Sequence, residues 1–145
     1  MCDLHRWLGF LVALGLLAAL PAGAASTKAW DEKAVAQLAH EFTLQTKLIQ
    51  ESVGPHVEQA APNSPRRIVL NDVYEIHHRA VSLETGVRAG LGREQTEPVF
   101  RRILGSVRNA KQDAKRFPEI EKARKPIEEA QKLLAELGAY YGEGG

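Results

Sequence analysis

The chain has 145 residues, of which 44% are hydrophobic and 26% are charged, and its 19 basic residues nearly balance its 18 acidic ones. Such a balance creates no field that attracts a polyanion, so we expect no nucleic-acid partner. Met1 and Cys2 are the only residues of their types. A domain that begins after them therefore has no disulfide, no thiol catalysis and no methionine-ligated haem.

The first 24 residues have the three-part pattern of a signal peptide. A short segment, MCDLHR, precedes the apolar run WLGFLVALGLLAAL, and Ala22-Gly23-Ala24 forms a small-residue cleavage site. The apolar run is shorter than the roughly 20 residues that span a bilayer. We expect cleavage after Ala24, no stable membrane span afterwards, and a single mature domain over 25–145 in the periplasm. Secretion and an uncleaved N-terminal anchor are the alternatives.

Apolar residues recur at helical spacing in four segments, and no segment alternates as a strand would. The first segment covers about residues 27–52 and ends before Gly54-Pro55. The second begins at Ser64-Pro65, an N-cap followed by proline in the first helical position, and ends near Gly90. Its apolar residues step by three and four: Val69, Val73, Ile76, Ala80, Leu83 and Val87.

The last two segments continue this spacing. Thr96 is predicted to cap the third helix, with Pro98 in its first turn, and the apolar residues are Phe100, Ile103, Val107, Ala110, Ala114 and Phe117. In the fourth segment Pro126 predicts a break near Lys125, after which the main helix runs to Tyr141. Its apolar residues are Ile120, Ala123, Ile127, Ala130, Leu134, Leu137 and Tyr141.

The period of 3.5 residues predicts an all-α fold, an antiparallel left-handed four-helix bundle with crossing angles near 20°. A three-helix bundle with a broken fourth helix is the alternative.

An adjacent histidine pair in the second segment raises the question of a metal site. Glu75 and His78 have the Glu-x-x-His spacing of helical metal sites. A dimetal site needs two such motifs facing inward, whereas the register of this helix turns both side chains outward. His77 flanks the core and is expected to be half-buried, and His56 lies in the long link before this helix. A haem or transition-metal site on His77, with His78 or His56 and near Glu75, is therefore one hypothesis.

The alternative is that these histidines have only a structural role. In it, a backbone carbonyl or a neighbouring side chain satisfies His77, and no ligand binds. His40 is predicted to lie on the solvated face of the first helix, because it falls far from the centre of that helix's apolar arc.

The third segment carries a stripe of basic residues. Arg101, Arg108 and Lys115 repeat every seven residues, and Arg102 and Arg116 lie beside them. An anionic partner is one interpretation of this stripe. The structural alternative is ion pairing with Glu121, Glu128 or Glu129 of the fourth segment.

No catalytic motif accompanies these features. The chain lacks Gly-x-Ser-x-Gly, Ser-x-x-Lys and a phosphate-binding glycine loop. We therefore expect a non-enzymatic, exported helical-bundle protein that binds another protein, a peptide or a small ligand and holds no cofactor. The alternative is the haem- or metal-binding bundle. A homodimer through Tyr74, Leu70 and Leu104 is a third option, although a closed bundle also buries both leucines.

Overall fold

The computed structural model describes residues 27–54 and 59–143. Within these ranges the fold is all-α, without strands, as predicted. The four helices are α1 (Glu32–Val53), α2 (Pro65–Arg88), α3 (Arg93–Asp113) and α4 (Arg124–Tyr141), and two short 3-10 segments, Ala114–Arg116 and Pro118–Ala123, join α3 to α4. The predicted signal peptide and its cleavage site lie outside the described residues. No helix in the described ranges combines the length and apolarity of a membrane span.

The first two helices begin at side-chain caps. The Ser64 hydroxyl accepts a hydrogen bond from the Arg67 N–H at 3.2 Å, with Pro65 as the first helical residue, so the predicted start of α2 is confirmed. The Asp31 carboxylate accepts from the Ala34 N–H at 3.0 Å. This cap starts α1 later than Thr27, where the apolar periodicity had placed it, because Asp31 satisfies a free N–H of the first turn.

The predicted cap of α3 is wrong. α3 begins at Arg93 after Gly92, whose N–H donates to the Gln95 side-chain oxygen at 3.1 Å. Thr96 instead points inward, is buried, and its hydroxyl lies 2.9 Å from the Tyr141 hydroxyl. Because Gln95 already supplies the cap, Thr96 is free to serve the core, and Pro98 falls inside the helix rather than in its first turn.

The start of α4 confirms the break predicted at Pro126. The 3-10 segment ends at Ala123, and the α-helix begins at Arg124. Pro126 then lies in the first turn, where its missing N–H breaks no intrahelical hydrogen bond. At the other end, Gly142 takes the left-handed conformation with φ of 79°, and the Glu143 N–H donates to the Gly138 carbonyl at 2.9 Å.

Each of the first two helices contacts its neighbours along much of its length. α1 packs against α2 and α4, and α2 also packs against α3. His40 near the start of α1 meets Glu84 near the end of α2, which is the pairing of neighbours that run in opposite directions. The shared core contains residues from all four helices, with Phe42, Leu70, Leu83, Phe100, Ile103 and Leu137 as its largest fully buried side chains. The antiparallel, left-handed four-helix bundle arrangement stays a prediction.

By contrast, α3 and α4 touch over a short distance. The side-chain contacts between them lie where α3 begins and α4 ends. There the Phe100 ring stacks on Tyr141 with centroids 4.3 Å apart, and Arg101 donates to Glu143 at 2.8 Å. Trp30 closes this end with an edge contact to Tyr141 at 5.5 Å. The fold is therefore sealed at this end, which we call the closed end.

Candidate ligand-binding site

The structure gives His77 a defined partner. Its ring is half-buried, as predicted, with Nδ1 3.0 Å from the Thr46 hydroxyl oxygen. Thr46 donates its own hydrogen to the Thr43 carbonyl at 2.9 Å, so its oxygen accepts from His77 Nδ1–H. In the neutral ring, Nε2 then carries the lone pair. Burial lowers the pKa of His77, and the charges of Lys47 and His78 lower that pKa further.

The other residues of the metal hypothesis are less closely grouped. His78 is exposed, and Glu75 forms an ion pair with Arg79, which also donates to Ser106 on α3. Within the part of the chain that the structure describes, no three His, Cys, Asp or Glu residues are placed to hold one metal ion. His56 lies outside the described residues. The haem or metal site therefore stays a prediction.

His40 is only partly on the solvated face: its side chain is 39% exposed, and it also contacts the neighbouring helix, which the prediction did not include. Its Nδ1 is 2.8 Å from a carboxylate oxygen of Glu84, which also binds Arg88 at 3.0 Å. The Glu84 side chain reaches from α2 across to α1, and this contact draws His40 to the boundary between the two helices. Helical angle alone did not show this, because it takes no account of the length of a side chain on the neighbouring helix.

The basic stripe of α3 divides into two parts. Arg101 is paired with Glu97 and Glu143, both at 2.8 Å. The other four members, Arg102, Arg108, Lys115 and Arg116, are exposed. Glu128 and Glu129 do not pair with them: these carboxylates bind Arg124 and Lys132 within α4, at 3.2 and 3.4 Å. Glu121 forms no ion pair with any described residue, so the predicted pairing of the stripe with Glu121, Glu128 or Glu129 is wrong.

The residues suggested for a homodimer differ in exposure. Leu70 is only 1% exposed and belongs to the core, while Leu104 is half-buried. Tyr74 is 44% exposed, as a surface contact would require. Leu70 therefore cannot serve as a surface contact, because it is buried in the core.

A cavity lies inside the fold, away from the closed end. Its volume is about 120 Å³. It lies between the second halves of α1 and α3 and the first halves of α2 and α4. The walls are almost entirely apolar, and they are formed by Phe42, Thr46, Ile49, Val69, Val73, Ile76, Val107, Ala110, Ala114, Ile120, Ile127, Ala130 and Leu134. The hydroxyl of Thr46 is already engaged by Thr43 and His77.

Small residues account for the empty space. Ala110 of α3, Ala114 at the start of the following 3-10 segment and Ala130 of α4 all line the cavity. A methyl group at these positions leaves a gap that a leucine or phenylalanine would fill, and native interiors contain few such gaps. The run of alanines in the third and fourth segments was the signal in the sequence, but spacing alone did not show that these alanines meet.

The cavity is open to solvent on one side. Two polar residues complete its lining, Lys111 from α3 and Gln131 from α4, and both are exposed. The opening therefore lies between α3 and α4, the two neighbouring helices that touch least. We call Lys111 and Gln131 the mouth of the cavity. A ligand that enters there meets one positive charge and then apolar walls.

Two carboxylates, those of Asp72 and Asp113, lie on the side of α3 that faces away from the mouth of the cavity. Burial and the negative charge of Asp113 raise the pKa of Asp72 to about 6. The Oδ2 atom of Asp72 is buried and has no hydrogen-bond partner among the described residues. Asp72 belongs to α2 and Asp113 ends α3. The repulsion therefore acts across the boundary between these helices, close to the cavity residues Val69, Val73 and Ala114.

Comparison of the chain with protein-family models, with curated proteins and with solved structures finds no match. The cavity and the side chains around it are therefore the features that indicate a function.

Proposed function

We propose that this chain is an exported, non-enzymatic protein that binds a small apolar ligand inside an antiparallel left-handed four-helix bundle. The apolar cavity open between α3 and α4 carries this proposal. After removal of residues 1–24 the protein acts in the periplasm, and secretion is the alternative location.

The size of the cavity supports a small ligand rather than a peptide or protein. An apolar cavity of roughly 150 Å³ in another protein stays dry and binds benzene. At about 120 Å³, the cavity here accommodates a chain or ring of about five carbon atoms by the same scale. A folded protein partner has no access to it, since the opening is a gap between two helices.

The energetic cost of the cavity also supports a functional role. An enclosed void lowers stability by about 24 cal/mol per Å³, so about 120 Å³ costs at most about 3 kcal/mol, and less where the cavity is open to solvent. Proteins commonly give up stability of this size at binding sites, where function requires unfilled space. Larger residues at Ala110, Ala114 or Ala130 would remove the cost.

A titration with straight-chain alcohols tests the proposal. Backbone amide shifts of the mature protein would be followed by NMR as 1-butanol, 1-hexanol or 1-octanol is added. We expect saturable shifts at the cavity residues and none at the closed end. Ala130→Leu is expected to abolish them, whereas Ala135→Leu, an exposed position on the same helix, is expected to leave them unchanged. Shifts that are weak and spread over the whole chain would contradict the proposal.

One observation favours a second candidate function, metal binding at His77. Metal-binding histidines commonly donate their other ring N–H to a fixed acceptor, and His77 donates Nδ1–H to Thr46. His78 or His56 would supply a further ligand. A Zn²⁺ or Ni²⁺ titration by calorimetry tests this function. A stoichiometric site lost in His77→Ala but kept in His40→Ala would support it, and equal weak binding by both variants would contradict it.

A further inference from the structure

The mouth of the cavity carries a charge that the apolar walls do not explain. Among the described residues that line the cavity, Lys111 alone has an ionised side chain. It has no hydrogen bond or ion pair to any residue that the structure describes. A lysine whose stem lines an apolar cavity places its ammonium group in water at the rim.

The charge of Lys111 is reinforced by its own helix. Arg108 lies three residues before it on the same face of α3, and Lys115 lies four residues after it, in the 3-10 segment Ala114–Arg116 that follows α3. Arg108 and Lys115 are exposed and likewise have no ion pair with the described residues. Two members of the basic stripe, Arg108 and Lys115, thus add positive charge near Lys111, whereas Arg101 is paired with Glu97 and Glu143 at the closed end.

Among the described residues, no acid forms an ion pair with Lys111, Arg108 or Lys115. Across the opening, Glu128 of α4 is bound to Arg124 at 3.2 Å. The single acid of this part of α3, Asp113, lies two residues after Lys111 and therefore projects about 200° away around the helix. It faces Asp72 on α2. The rim is consequently positive where a ligand enters.

We propose that the ligand is a single-chain anionic amphiphile, whose apolar tail of about five carbons fills the cavity and whose anionic head group binds Lys111 at the rim. This inference rests on the proposed function and adds the charge of the ligand to it. A free small molecule is favoured over a lipid in a membrane, because a space of about 120 Å³ holds one short chain and not two acyl chains.

Three six-carbon probes of different charge test the inference. Hexanoate, 1-hexanol and hexylamine would each be titrated into the mature protein at low ionic strength. We expect hexanoate to bind up to about fivefold more tightly than 1-hexanol, which is the effect of one solvent-exposed ion pair. Hexylamine should bind most weakly. Raising the ionic strength should remove the advantage of hexanoate and leave 1-hexanol unaffected.

A pair of lysine variants locates the effect. Lys111→Met keeps the apolar stem and removes the charge, so hexanoate should then bind no better than 1-hexanol. Lys33→Met is the matched control, because it removes the same charge from an exposed position at the closed end. Both variants should keep the helicity and unfolding midpoint of the parent. The salt titration of the parent protein tests the charge effect without any substitution.

Each result has one meaning. Equal binding of hexanoate and 1-hexanol, unchanged in Lys111→Met, would overturn the anionic ligand and leave the apolar site standing. No saturable binding of any probe would overturn the proposed function and this inference with it. Binding to anionic vesicles without binding of free hexanoate would overturn the inference in favour of a membrane surface.

Discussion

Filling the cavity should make the protein more stable, and Ala130→Leu is the most direct way to fill it. Ala130 is 6% exposed and lines the cavity. Leucine adds three carbon atoms to a space that holds about five. If about 120 Å³ costs at most about 3 kcal/mol, filling half of it should raise the free energy of unfolding by up to about 1.5 kcal/mol.

Urea unfolding followed by circular dichroism measures this change. We expect a higher midpoint with an unchanged m-value, since the surface exposed on unfolding stays nearly the same. Ala135→Leu, on the solvent side of α4, should change stability by less than about 0.5 kcal/mol. A loss of about 1–3 kcal/mol in Ala130→Leu would be the signature of overpacking. That loss would refute the reasoning, because it would mean that the space is already filled.

Three further substitutions test the polar contacts. Asp72 holds its proton more tightly when folded, so its contribution to stability is present below pH about 4 and is lost as pH rises through about 6. Asp72→Asn should therefore raise the free energy of unfolding at pH 7 by about 1 kcal/mol, a value reduced because the residue is partly exposed. A smaller gain at pH 7 than at pH 4 would contradict the raised pKa of Asp72. His77 should have the opposite effect of pH on stability. Its lowered pKa favours the neutral ring, so its contribution to folding stability is lost as pH falls below about 6.5. His77→Gln should flatten this part of a urea-midpoint profile, and an unaltered profile would count against it. Tyr141→Phe removes the buried bond to Thr96 and should cost about 1 kcal/mol by the same assay, whereas an unchanged midpoint would show that the bond contributes nothing.

Apolar spacing and capping residues predicted a helix end correctly where a single residue determined the local backbone conformation. Ser64-Pro65 placed the start of α2, and Pro126 placed the start of α4, because each acts on the backbone of its own turn. The start of α3 was missed at Thr96. Both Thr96 and the pair Gly92–Gln95 are able to cap a helix, and they lie close together in the sequence. Thr96 is buried against Tyr141, so the cap is formed by Gly92 and Gln95. The contact between Thr96 and Tyr141 joins residues far apart in the sequence.

The candidate site was harder to predict than the fold. The sequence drew attention to His77 and to the basic stripe, and it gave no reason to connect the stripe with a cavity. The cavity depends on the summed volume of side chains from four helices, and on the distance between α3 and α4. The 3-10 segments between Asp113 and Arg124 contribute to that distance. Neither quantity can be calculated from periodicity within one helix.

A crystal structure of the mature protein under xenon pressure tests the central claim most directly, since xenon enters dry apolar cavities of this size. We expect one strong xenon peak within contact of Phe42, Ala110 and Ala130, and no such peak in Ala130→Leu crystals under the same pressure. An empty map, with α3 and α4 closed against each other over Ala110 and Ala130, would contradict the claim that this fold keeps a binding cavity.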